Sequence, residues 1–241
     1  MTLIRNRYRQ VRQLAQTTYG GIYLCNDEFL PINMLDLRSP ELQAPDDPRQ
    51  EKAFALLQRS EAAPHPNIVQ YLDDFIEGHT LYFVLEYCAG GDLVSSVNRG
   101  QNRRLACADA LAVVMQIATG VAYLHSHSIA HRDLSLENMM LSRDQPCFGR
   151  VGKAYYMAPE VVLSRDVYDS KAADVGKEDA AFRAFRKVGL REVLEAWHMD
   201  ELLARSAMEL LDGMLQCDPT KRLTIEQVLN HEAFDRRAIA A

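Results

Sequence analysis

The stretch HRDLSLENMM, His131 to Met140, decides how the rest of this chain is read. It sets an arginine–aspartate pair, Arg132-Asp133, next to an apolar residue and closes on Glu137-Asn138-Met139-Met140. That grouping takes its meaning from the sequence around it. Three residues alone are a weak signal. The plain alternative makes Asp133 a helix-capping aspartate after AYLHSHSIAH.

Composition narrows the field. The chain has 241 residues, 48% hydrophobic and 25% charged, which suits one large domain or two packed lobes. A formal net charge of -6 argues against nucleic acid or an anionic membrane as the main partner. The basic cluster RNRYR, residues 5–9, reads as a solvated N-terminal segment. Five cysteines (Cys25, Cys88, Cys107, Cys147 and Cys217) stand far apart with no CxxC pair, the usage of a reduced intracellular protein. The N-terminus has no apolar signal core, and no uninterrupted apolar run is long enough to cross a bilayer. The expectation is a soluble, cytoplasmic domain.

Hydropathy patterning splits the chain. RQVRQLAQ, GGIYLCND and FLPINMLDL carry short apolar runs broken by turn residues and read as strands. SPELQAPDDPRQ is a loop, and EKAFALLQRSE follows with Phe54, Leu56 and Leu57 at helical spacing. NIVQYLDDFIEGHTLYFVLEY is a hairpin turning at Glu77-Gly78-His79. Beyond AGGDL the chain is mostly helical. In DALAVVMQIATGVAYLHS, the residues Leu111, Val114, Met115, Ala118, Val121 and Ala122 lie along one face. Ser206 with Glu209 and Thr224 with Gln227 each predict a capping box, and Pro219 separates the two helices.

In this setting the opening stretch resembles the catalytic loop of the eukaryotic protein kinase family. The landmarks run in the family's order: TTYGGIYL, LPIN, HPNIV, LEYCAGGDL, HRDLSLEN, YYMAPE, ADV and DPTKRLTIEQVLNHEAF. The last fragments and YYMAPE are most similar to the Ser/Thr branch, its calcium/calmodulin-dependent-type group in particular. The resemblance implies an α+β, two-lobed kinase-like fold forming a single domain, with a small β-rich lobe over residues 1–87 and a larger helical lobe over 88–241. It implies ATP and Mg²⁺ as cofactors and a protein as substrate or partner, with no nucleic acid and no membrane. Asp133 matches the carboxylate that orients the hydroxyl nucleophile, and Asn138 the oxygen ligand to Mg²⁺. His131 and Arg132 match a structural pair. Gly20, Ile22, Asn33, Glu86, Cys88, Asp92 and Met140 fall on nucleotide-binding positions. There the Glu86 carbonyl and Cys88 backbone face adenine, Asp92 meets ribose and Met140 packs beneath the base. Leu85 matches the gatekeeper, and Glu160 with Arg222 a buried ion pair.

The departures are as informative. The glycine loop reads Ala15-Gln16-Thr17-Thr18-Tyr19-Gly20, so only its third glycine remains. The strand lysine is Asn33, within Leu30-Pro31-Ile32-Asn33, and Glu51, the best match for its helix partner, has lost that partner. No magnesium aspartate follows Asn138 at the expected place. Either Cys147-Phe148-Gly149 is a decayed Asp-Phe-Gly, or PCFGRVGK is the end of an activation loop deleted after Asp144; the second reading is preferred. A second gap after Asp174-Val175 removes the apolar central helix. Ser135 and Lys153 look like an exchange of the family's lysine and threonine, with Lys153 reaching back toward Asp133; independent drift is the alternative. Two functions follow as expectations: a Ser/Thr kinase transferring phosphate from ATP to protein hydroxyls, or a pseudokinase that serves as an interaction scaffold. A third account makes the gaps splicing or gene-model losses from an active parent.

Overall fold

Alternating apolar residues build the first unit as a sheet. The computed structural model describes residues 3–17, 20–25, 31–36, 65–99, 105–131, 134–142, 146–148, 190–196 and 204–235. By backbone contacts the chain divides into Met1–Ala89 and Gly90–Ala241. In the first unit β1 (Leu3–Ile4), β2 (Tyr8–Thr17), β3 (Gly20–Cys25), β4 (Pro31–Asp36), β5 (Tyr71–Glu77) and β6 (Thr80–Leu85) form an antiparallel sheet in the order β1-β2-β3-β4-β6-β5. The β5–β6 hairpin turns at Gly78-His79 as the sequence predicts, with Gly78 at φ 61° where a side chain would be strained.

The basic N-terminal cluster differs from expectation. Arg5 and Asn6 adopt φ 49° and 53°, and the Arg7 N–H donates to the Ile4 carbonyl at 3.1 Å, closing a tight turn within the three-residue connection Arg5-Asn6-Arg7 between β1 and β2. Turns with two left-handed residues match the natural twist of paired strands. The arginines are exposed, but Ile4 and Tyr8 are 2% and 1% exposed and join Cys25, Ile32, Tyr82 and Val84 in a core. Phe75 extends that core, stacked on Tyr82 at 4.9 Å and on Tyr8 at 6.0 Å. A second cluster holds Leu81 and Phe83 with Tyr71 and Leu85 against it.

The second unit is helical around a small sheet. β7 (Gly91–Asp92), β8 (Met139–Leu141) and β9 (Pro146–Phe148) pair in that order. Helices α1 (Leu93–Arg99), α2 (Cys107–Ser126), α3 (Leu190–Ala196), α4 (Arg205–Met214) and α5 (Ile225–Leu229) are the α-helices among the described residues. Leu111, Ala118 and Val121 of α2 bury against Leu210, Ile225, Val228 and Ala233, so the predicted apolar face supplies the core. Val114, Met115 and Ala122 of that face are only half-buried. By length and composition α2 is also apolar enough to cross a bilayer, the one such helix among the described residues. The sequence reading found no uninterrupted apolar run of that length, and Gln116 and Thr119 stand within this one; Thr119 donates its hydroxyl to the Gln116 carbonyl at 2.8 Å.

Of the two predicted capping boxes, one forms. Thr224 accepts from the Gln227 N–H at 3.3 Å while Gln227 Oε1 accepts from the Thr224 N–H at 2.8 Å. Helix α4 instead begins at Arg205 behind an Ala204 cap with no side-chain bond, because Arg205 Nε donates to Glu209 Oε1 at 2.8 Å and holds that carboxylate on the helix flank. Replacing Thr224 with alanine removes the hydroxyl that accepts from the Gln227 N–H, while the backbone N–H of residue 224 can still donate to Gln227, and is expected to lower stability by about 1 kcal/mol in denaturant titration. Ser206→Ala is expected to change nothing measurable.

Candidate functional site

In the first unit, strand register carries the candidate residues. Ile22 on β3 lies directly opposite Asn33 on β4, and Asn33 directly opposite Phe83 on β6, so the three share one face of the sheet. Pro31 opens the central strand β4, the position where a missing N–H donor does least harm. Asn33 Oδ1 is buried and accepts no hydrogen bond among the described residues. The β2–β3 ladder, with bulges between Gln10 and Arg12 and between Gln13 and Ala15, runs to Thr17 opposite Gly20. Two glutamines stitch that tip: Gln16 Nε2 donates to the Gly20 carbonyl at 2.6 Å, and Gln13 Nε2 to Gln16 Oε1 at 2.7 Å and to the Ala15 carbonyl at 3.3 Å. At the end of β6 the Glu86 N–H donates to the Gln70 carbonyl, and the Gln70 N–H to Glu86 Oε1, both at 3.0 Å. This exchange fixes the strand exit ahead of Cys88, which is buried.

The second unit carries four further candidates on adjoining segments. Asp92 on β7 is directly opposite Met140 on β8, and Asn138 ends the 3₁₀ turn Leu136–Asn138 that leads into β8. Ser135 starts that turn, its carbonyl accepting from the Asn138 N–H at 3.0 Å; both residues are buried. The Gly90 N–H donates to the Leu141 carbonyl at 2.8 Å, which ties the segment before β7 to β8. The strand pairing opposite β8 is made by Pro146–Phe148, Met140 facing Cys147. Arg222 is 5% exposed and its Nε donates to the Gln216 carbonyl at 2.9 Å. Asp133, Lys153, Arg132, Glu51, Asp144 and Glu160 lie outside the described residues.

Asp92 has local duties that the sequence reading did not find. Its carboxylate accepts from the Ser95 N–H and from the Ser95 hydroxyl, both at 2.7 Å, so it caps the first turn of α1. Burial pushes this carboxyl up, but the two Ser95 bonds, its own backbone N–H and the Arg99 guanidinium outweigh that and hold it below the usual carboxylate range. A carboxyl lowered by folding stabilises the fold above its unfolded pKa of about 3.9, and the contribution is lost as pH falls through the lowered folded value. Asp92→Ala is therefore expected to flatten the acid limb of the melting-temperature profile below about pH 4 and to destabilise near neutrality. The signal for this role was present in Asp92-Leu93-Val94-Ser95, the spacing of a side-chain cap three residues ahead of its donor.

The chemistry available is asymmetric. A polyphosphate needs cationic or N–H donors around it, since its oxygens accept only. Among the described residues, Asn33 brings a neutral amide with a buried oxygen acceptor, and the glutamine amides at the hairpin tip are engaged on Gln16 Oε1 and on backbone carbonyls. No group of three or more His, Cys, Asp or Glu side chains suited to a metal occurs among the described residues.

Comparison with known proteins agrees on one family. A family model described as "Protein kinase domain" matches residues 8–148. Serine/threonine-protein kinase PLK4 of Drosophila willistoni is 30% identical over 209 residues, covering 73% of this chain and 26% of the relative. A probable serine/threonine-protein kinase of Dictyostelium discoideum is 32% identical over 200 residues, 70% of this chain and 24% of the relative. Calcium-dependent protein kinase 10 of Arabidopsis thaliana is 32% identical over 275 residues, 95% of this chain and 48% of the relative. The chain thus spans between a quarter and a half of these relatives' lengths. The alignment to the plant protein is 275 positions long against a chain of 241, so at least 34 of its positions stand opposite gaps in this chain.

Proposed function

This chain belongs to the eukaryotic Ser/Thr protein kinase family, and from that premise we propose that it is a member with impaired phosphoryl transfer that works by binding other proteins. The observation that carries the reading is Asn33. It occupies the strand position of the family's lysine and presents a buried, unbonded oxygen in place of a cation. Phosphoryl transfer relies on fixed positive charge around the moving group, and loss of one such contact typically slows catalysis about 10²–10³-fold. The sequence adds the lost loop glycines and the missing metal aspartate, which act in the same direction. Asp133 and Asn138 keep the family's residue types, so the nucleophile-orienting end is retained while the phosphate-holding end is not. A cytoplasmic setting belongs to the same proposal, supported by free thiols at Cys25, Cys88, Cys107 and Cys217.

The test is transfer from radiolabelled MgATP to a protein hydroxyl substrate by the purified chain. Labelling is expected at or below about one hundredth of that of an intact relative, and Asp133→Ala is expected to lower it no further. Strong labelling that disappears in Asp133→Ala would overturn the proposal in favour of a working Ser/Thr kinase.

A further inference from the structure

β1 and β5 stand at opposite ends of the strand order, yet the turn that leaves β1 reaches β5. Arg5 makes the crossing. Its Nη1 lies 3.3 Å from Asp73 Oδ2, its backbone N–H donates to Glu77 Oε2 at 3.4 Å, and its guanidinium carbon sits 4.9 Å from the centre of the Phe75 ring. Asp73, Phe75 and Glu77 alternate along β5 and so share one face, the face on which Phe75 stacks with Tyr82 and Tyr8. One arginine thus meets an acid, a ring and a second acid on a single stripe. A second observation concerns the backbone. Arg5 and Asn6 are both left-handed without being glycine, a conformation that costs free energy and that contacts elsewhere must offset.

We propose that residues 3–9 form a strap, clasped by Arg5 on the Asp73–Phe75–Glu77 stripe, that closes the sheet end to end and opens as a unit ahead of the β5–β6 ladder. The ladder behind the strap is short: Leu3 pairs with Arg9 and Ile4 with Tyr8. Two cross-strand pairs hold weakly by themselves. Ile4 and Tyr8 add burial, and the clasp supplies the rest. The Arg5 and Asp73 side chains are 56% and 34% exposed, so dissolved ions reach the pair and screen it. Ionic strength therefore sets how often the strap is open, and opening bares the acidic, aromatic stripe of β5. This device is separate from phosphoryl transfer, and the labelling experiment bears on it in neither direction.

The experiment is residue-by-residue amide hydrogen exchange on the full chain at low and at high sodium chloride. The Arg7 amide, which donates to the Ile4 carbonyl, reports the strap, and the amides of the β5–β6 ladder report the sheet. In the unaltered chain the Arg7 amide is expected to exchange faster than that ladder and to quicken with salt. Arg5→Ala at low salt is expected to quicken it roughly three- to thirtyfold, to remove most of the salt response, and to leave the β5–β6 amides unchanged. Arg5→Lys keeps the charge, loses the planar stack and should fall between the two. Adding Asp73→Asn to Arg5→Ala is expected to change little more, because both remove the same ion pair. The inference is overturned if Arg5→Ala quickens both ladders alike, if the salt response persists in Arg5→Ala, if the two substitutions act additively, or if the Arg7 amide does not respond.

Discussion

Phe83→Ala is expected to remove about 3–5 kcal/mol of stability, the largest single-residue loss in the sheet unit. Phe83 is 0% exposed, lies on β6 with β4 and β5 as neighbours, and meets the edge of Tyr71 at 5.4 Å and 84°. Truncation deletes an aromatic ring that strands on both sides hold in place, so the space does not collapse and its lining loses contacts outright. At roughly 2–4 °C per kcal/mol for a chain of this size, the melting temperature should fall by roughly 6–20 °C. Phe83→Leu keeps most of the volume and should lose much less. Equal losses in the two variants would mean that packing around the ring does not carry the stability.

Gly90→Ala comes next, and its mechanism is different. A Cβ at Gly90 would sit 2.6 Å from Leu141 Cβ, 2.7 Å from the Leu141 carbonyl oxygen and 2.9 Å from the Ser142 carbonyl oxygen. Two of those three atoms are backbone, which cannot rotate away. The strand must move, and the bond from the Gly90 N–H to the Leu141 carbonyl, 2.8 Å long, stretches with it. Overpacking of this kind takes about 1–3 kcal/mol, with about 1 kcal/mol more for the bond. Hydrogen exchange at the Gly90 amide should quicken sharply, and the Asp92–Met140 pairing beyond it should loosen. Gly213→Ala provides the contrast, since its Cβ would meet only the Leu223 side chain, at 2.6 Å, and a side chain can turn aside.

The strands and the hairpin turn were legible because period-two alternation and a Gly at the bend leave few alternatives, and α2 because six apolar positions repeat at helical spacing. The resemblance also picked residues that the structure sets side by side: Ile22 with Asn33, and Asp92 with Met140. What stayed illegible was which partner each polar side chain takes. Arg5-Asn6-Arg7 looks like a solvated cluster, yet two left-handed residues turn it into a hairpin that buries Tyr8. Ser206 has the letters of a cap, yet Arg205 captures Glu209 first. Gln13 and Gln16 are plain strand glutamines in the sequence and acquire a role only once the hairpin brings backbone carbonyls within reach. The exchange predicted between Ser135 and Lys153, and the ion pair of Arg222 with Glu160, each involve a residue outside the described set.

The long apolar helix α2 has a consequence for biosynthesis. Its last residue, Ser126, leaves the ribosome before Arg205, where the helices that cover it begin. At bacterial-to-eukaryotic elongation speeds that interval is roughly 4–16 s, during which Leu111, Val121 and their neighbours lack the cover that Leu210, Ile225, Val228 and Ala233 supply. Holding chaperones should therefore engage nascent chains stalled between these two points, and release them once the C-terminal segment has emerged.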